Sequence, residues 1–113
     1  MKIEKIVKDD NGEETDEFTI HLTGGETFCA SDIDWVGKGY MSISCNICPQ
    51  IDFVELMDAG KALQAFAYLL LELQKEFPDH EYDTTAQDDD HEWCMSLDIG
   101  YEEWEQIYEK YKV

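Results

Sequence analysis

The chain contains no arginine. Its 113 residues carry 8 lysines against 27 aspartates and glutamates, a formal net charge of −19. That balance excludes direct binding to nucleic acid, which depends on basic side chains to neutralise phosphates. Long apolar runs are missing too. The longest, "AFAYLLL" at 65–71, falls far below the roughly 18 residues of a membrane span. The opening stretch "MKIEKIVKDD" has no apolar h-region, so no signal peptide is expected and the protein reads as cytoplasmic. No internal repeat and no linker-like stretch divides the chain, and residues 1–113 read as a single domain.

Catalytic signatures are equally scarce. There is no Gly-rich phosphate loop and no Ser/His/Asp ordering. "DIDWVGKGYMSI" begins like a calcium-binding EF-hand loop, with Asp32, Asp34 and Gly37 in place. However, Val36 stands where an oxygen ligand belongs and Ile43 where the bidentate glutamate must be. The zinc-deaminase order, H-x-E and then P-C-x-x-C, also fails, because Cys45 and Cys48 precede Pro49 and His91 follows both. The protein is therefore expected not to be an enzyme.

What is present argues for a folded domain. Hydrophobic residues make up 43% of the chain, and 3 Trp, 6 Tyr and 5 Phe set it apart from acidic disordered chains, which are poor in such residues. "KIEKIVK", "EFTIHLT", "ETFCASDIDWV" and "YMSIS" read as four strands. In the second of these, Phe18, Ile20 and Leu22 share one face. Residues 51–77 form the main helix: Asp52 and Glu55 suggest a capping box, and Leu56, Leu63, Phe66, Leu70, Leu73 and Phe77 recur at helical spacing. Leu69 and Leu71 widen that stripe, and Pro78 ends it. An acidic loop at 79–92, a strand "WCMSLDI" and a short helix "YEEWEQIYEKY" complete the chain, with Tyr101, Trp104, Ile107, Tyr108 and Tyr111 turned inward. The expected class is α+β: an antiparallel sheet of about five strands in the order ββββ-α-β-α, with one long helix and a short C-terminal one.

Two pairs of soft metal ligands sit at identical spacing, Cys45 with Cys48 and His91 with Cys94. Together they make the Cys₃His set of a closed structural zinc site, with no open position for a reactive water. The expectation is one structural zinc on Cys45, Cys48, His91 and Cys94. Residues three apart in a straight strand point to opposite faces, so His91 has to precede the strand; otherwise Cys29 substitutes as fourth ligand. Against that role, a two-residue Gly24-Gly25 turn would set Cys29 opposite Ile20 as a core thiol and His21 opposite Phe28 on the other face. Redox chemistry and plain reduced thiols are the other readings of the cysteines.

The charge is uneven. Residues 79–109 hold 12 of the 27 acids and no lysine. Self-repulsion of this kind costs stability, which points to a use beyond solubility. Glu102, Glu105 and Glu109 recur at three- and four-residue steps on one face of the last helix. Asp88, Asp89 and Asp90 are expected to extend that surface. The mean charge density is close to that of duplex DNA, which suits docking to a basic, nucleic-acid-binding protein. In size, charge and lack of catalytic constellations the chain resembles small acidic proteins of phages and mobile elements, and among them the anti-CRISPR inhibitors of type II effector nucleases. The resemblance implies a stoichiometric inhibitor that binds a CRISPR effector nuclease in the host cytoplasm. Other readings are an immunity protein against a nuclease toxin, a zinc-dependent enzyme and a phage structural or assembly protein.

Overall fold

Alternation of apolar and polar residues builds the sheet, as seen in a computed structural model that describes residues 2–9, 17–35, 38–47, 53–89 and 92–113. Six strands form one antiparallel sheet: β1 (Ile3–Asp9), β2 (Glu17–Leu22), β3 (Thr27–Trp35), β4 (Lys38–Ile47), β5 (Asp83–Asp89) and β6 (Glu92–Gly100). Their spatial order is β1-β2-β3-β4-β6-β5. Helix α1 (Phe53–Glu76) connects β4 to the far edge strand β5, and α2 (Tyr101–Tyr111) follows β6 directly. The α+β class is as expected. The strand count is not: the element order is ββββ-α-ββ-α, because residues 83–89, expected as loop, form β5.

One face of the sheet carries the core. Phe18, Ile20 and Leu22 of β2 lie beside Phe28 and Ala30 of β3, Met41, Ile43 and Cys45 of β4, and Leu97 and Ile99 of β6. Ile3 and Ile6 of β1 also face inward although three residues apart. A register irregularity between Ile3 and Lys5 realigns them, as a β-bulge does. Both helices cover this face. Helix α1 contributes Ala65, Phe66, Leu69 and Leu73, while α2 contributes Trp104 and Ile107. Leu71, expected to widen the buried stripe, is 58% exposed. The expected capping residue Asp52 lies outside the described residues.

The opposite face is largely polar, and among the described residues neither helix packs on it, the common arrangement for an antiparallel sheet. Its rows include Thr19 beside Cys29, and Cys29 beside Ser44 and then Ser96. The pairing differs from the expected parity by one residue, and the cause is the β2–β3 turn. Leu22 N–H donates to the Glu26 carbonyl at 2.9 Å, closing a three-residue loop over Thr23, Gly24 and Gly25. Gly25 takes φ +94°, a conformation open to glycine at no steric cost. The extra residue slides β3 by one position. Cys29 therefore faces solvent opposite Thr19 instead of lying in the core opposite Ile20. His21 is on the solvent side as expected, but opposite Thr27.

The C-terminal ends of the two helices are tied together. Tyr82 Oη donates to the Leu73 and Phe77 carbonyls at 3.0 and 3.1 Å, adding to the backbone N–H of Phe77 and of His80 that these carbonyls already accept. Tyr111 of α2 donates to Glu76 Oε2, and Lys110 Nζ sits 3.3 Å from the same oxygen. Beyond α2, Lys112 forms a parallel bridge with Ile6, which covers part of the β1 edge.

Candidate partner-binding site

Helix α2 presents its acids because its apolar residues fix its rotation. Trp104 and Ile107 are buried against the sheet, which turns Glu102, Glu105 and Glu109 to solvent. Glu102 and Glu103 occupy the first turn, where the helix dipole favours negative charge. Glu109 is not an open anion, since Lys112 Nζ pairs with its Oε2 at 2.9 Å. That pair also raises the Lys112 pKa through the hydrogen bond and charge of Glu109. Glu102 and Glu105 are thus the ridge's more available charges.

Five of the six expected partner-binding residues lie on two elements, Asp88 and Asp89 on β5 and Glu102, Glu105 and Glu109 on α2. Asp88 and Asp89 pair with Trp93 and Glu92, at the start of β6. Glu102 follows the end of β6, and α2 then runs toward β1. Eight strand steps intervene between Glu92 and Gly100, about 27 Å at roughly 3.4 Å each. Asp90 lies outside the described residues. Along β6, the Asp88 and Asp89 positions are therefore at the opposite end from the start of α2.

A groove of about 610 Å³ opens between α2 and the strands. Phe18, Met41 and Trp104, all buried, line its depth; Tyr101 and Tyr108 line it from α2. Phe18 meets Trp104 edge-on at 5.2 Å and Tyr108 at 4.9 Å, which holds the three rings in one cluster. Charged residues complete the lining: Asp32 from β3, Glu105 and Glu109 from α2, and Lys8 from β1. Trp104 is only 4% exposed, and its indole Nε1–H has no hydrogen-bond partner among the described residues. Sequence reasoning missed this groove. Asp32 had been considered only for calcium, and nothing in the local pattern around Lys8 or Phe18 brings them to Tyr101.

The expected zinc ligands fall differently. Cys45 is buried on the helix-facing side of β4 and pairs with Met95, while Cys94 pairs with Asn46. The Cys45 and Cys94 positions therefore belong to opposite faces of the sheet. Burial raises the Cys45 thiol pKa. Cys48 and His91 lie outside the described residues. Cys29, the expected substitute, is on the solvent face at β3, across the sheet from Cys45. Among the described residues, no three His, Cys, Asp or Glu side chains converge as a metal-holding group.

No family model, no curated protein and no solved structure matches this chain. Among the described residues, no helix is long and apolar enough to cross a membrane.

Proposed function

We propose that the protein is a stoichiometric, non-catalytic inhibitor that docks its α2 side onto a basic, nucleic-acid-binding surface of an enzyme. The observation that carries this reading is the exposed ridge of Glu102 and Glu105, with Asp32 facing it across an aromatic groove. Magnitudes support a nucleic-acid-like surface. Duplex DNA carries one charge per ~1.7 Å of axis, or about 24 charges over 40 Å. The protein spans 40 Å along its longest axis and carries a net −19. A basic channel shaped for phosphates thus meets a comparable charge, without a backbone that the enzyme can cut.

The resemblance to anti-CRISPR proteins makes a type II CRISPR effector nuclease with its guide RNA the partner to test. Inhibition of target-DNA cleavage should saturate near one protein per nuclease, and excess target DNA added first should protect the nuclease. Inactivation of a large excess of nuclease by a trace of protein would make it an enzyme instead. Unchanged cleavage at equimolar and tenfold-excess protein (roughly 1.4 kcal/mol of mass action) would remove this nuclease as partner.

A further inference from the structure

We propose that the groove between α2 and the sheet is a socket for an arginine-bearing segment of the protein partner. The proposal rests on the reading of the chain as an acidic protein-binding inhibitor, and it assigns the chemistry that this face recognises. Three carboxylates line the groove from two sides, Asp32 from β3 and Glu105 and Glu109 from α2, against the single ammonium of Lys8. An anionic ligand would meet repulsion there, and a purely apolar one would strip water from carboxylates without pairing them. A cation carried on an apolar stem meets both parts of the lining.

Arginine fits better than lysine. The inner lining is aromatic, with Phe18 edge-on to both Trp104 and Tyr108, and Tyr101, 39% exposed, also lines the groove. A planar guanidinium stacks on such rings and forks onto carboxylates, whereas an ammonium is compact and strongly hydrated. At about 610 Å³ the groove falls within the roughly 300–1,000 Å³ of ordinary ligand pockets, ample for the side chain and flanking backbone. Because Lys112 already engages Glu109, Asp32 and Glu105 hold the guanidinium.

The test uses the full chain and the peptide Ac-Gly-Arg-Arg-Gly-NH₂, with its citrulline counterpart as a neutral isostere. Binding is followed by nuclear magnetic resonance at the Trp104 indole N–H, assigned by comparison with Trp104→Phe. The arginine peptide should shift that signal saturably, with a Kd in the millimolar range or tighter. The citrulline peptide should bind about tenfold weaker, a ratio equal to roughly 1.4 kcal/mol. Asp32→Asn with Glu105→Gln, and separately Tyr101→Ala, should weaken the arginine peptide about as much. Asp79→Asn with Glu81→Gln, outside the groove lining, should change nothing. Equal affinity for the two peptides, or no shift of the Trp104 signal up to about 20 mM peptide (roughly 2.3 kcal/mol of binding free energy), would overturn the socket. If the chain still inhibits its nuclease in that case, only the socket falls. If the arginine peptide binds as stated and no nuclease is inhibited, the socket stands and the inhibitor reading falls.

Discussion

Tyr111 on α2 donates its hydroxyl hydrogen to Glu76 at the end of α1, so a hydrogen bond joins the two helices directly. Lys110 sits 3.3 Å from the same Glu76 oxygen, but its side chain is half exposed. A hydrogen bond to a charged acceptor contributes about 1.5–3 kcal/mol. A surface ion pair contributes about 0–1 kcal/mol. Tyr111→Phe should therefore lower stability by about 1.5 kcal/mol in urea unfolding. Lys110→Ala should lower it by less than about 0.5 kcal/mol. A Lys110→Ala loss as large as that of Tyr111→Phe would show that the ion pair, not the hydroxyl, ties the helices.

Alkaline pH should loosen the same region. Burial, followed by the charges of Glu103 and Glu76, pushes the Tyr82 pKa from 10.0 to about 12. Burial and the hydrogen bond to Glu76 push Tyr111 still higher. The unfolded chain releases these protons near pH ~10. Above that pH the unfolded state binds fewer protons than the folded one, so stability falls as pH rises. The contribution is complete below pH ~10 and declines as pH approaches about 12. The melting temperature should hold between pH ~8 and ~9.5 and then decline, and Tyr82→Phe should make the decline shallower. A decline of unchanged steepness in both Tyr82→Phe and Tyr111→Phe would assign the alkaline loss to general charge repulsion.

The cysteines should divide by face. Cys29 is exposed on the solvent face, and Cys45 is buried with the core. Alkylation of native protein, read by peptide mass mapping, should label Cys29 quickly and Cys45 only on unfolding. Cys45→Ala should cost about 1 kcal/mol, the scale for deleting one buried heavy group. That cost should be the same in chelator and in zinc-supplemented buffer. Zinc-dependent stability that disappears with Cys45→Ala would place Cys45 among metal ligands after all.

Much of the architecture is legible because periodicity reports burial directly. Phe18, Ile20 and Leu22 announce β2, and the Trp104–Ile107 spacing orients α2 with Glu102 and Glu105 outward. Strand β5 is illegible for a physical reason. It is an edge strand, paired only with β6, and its helix-side positions Thr84 and Ala86 are not strongly apolar. The face of Cys29 hinges on one residue of loop length, set by the positive φ of Gly25, and turn composition alone did not fix that length. The groove joins Lys8, Phe18, Asp32 and Met41 to α2 across most of the chain length, so only strand order reveals it. The register likewise sets the Asp88 and Asp89 positions at the end of β6 away from α2, a distance that sequence order does not display.

Neutralising the α2 and β5 acids separately should show which set meets the partner. The first set is Glu102→Gln, Glu105→Gln and Glu109→Gln on α2. The second is Asp88→Asn and Asp89→Asn on β5. Exposed charges act mainly on association rate and are screened over about 8 Å at ~0.15 M salt. The α2 set should slow association with the nuclease several-fold at low salt, by about 3- to 10-fold, and flatten the salt dependence. The β5 set should do so less. Neutralising Asp9, Asp10, Glu13, Glu14, Asp16 and Glu17 should matter least, although it removes more charge than either. Stability should hold in the α2 set. Losing Glu102 from the first turn costs about 0.5 kcal/mol, and losing the Glu109–Lys112 pair costs little because solvent screens it. Relief of repulsion in a chain of net −19 offsets part of that. Glu102 does not line the groove, whereas Glu105 does. Glu102→Gln alone should therefore change the association rate, while Glu105→Gln should also shorten the lifetime of the complex. Equal slowing by all three sets would mean that only net charge matters, and that α2 is not the face presented to the partner.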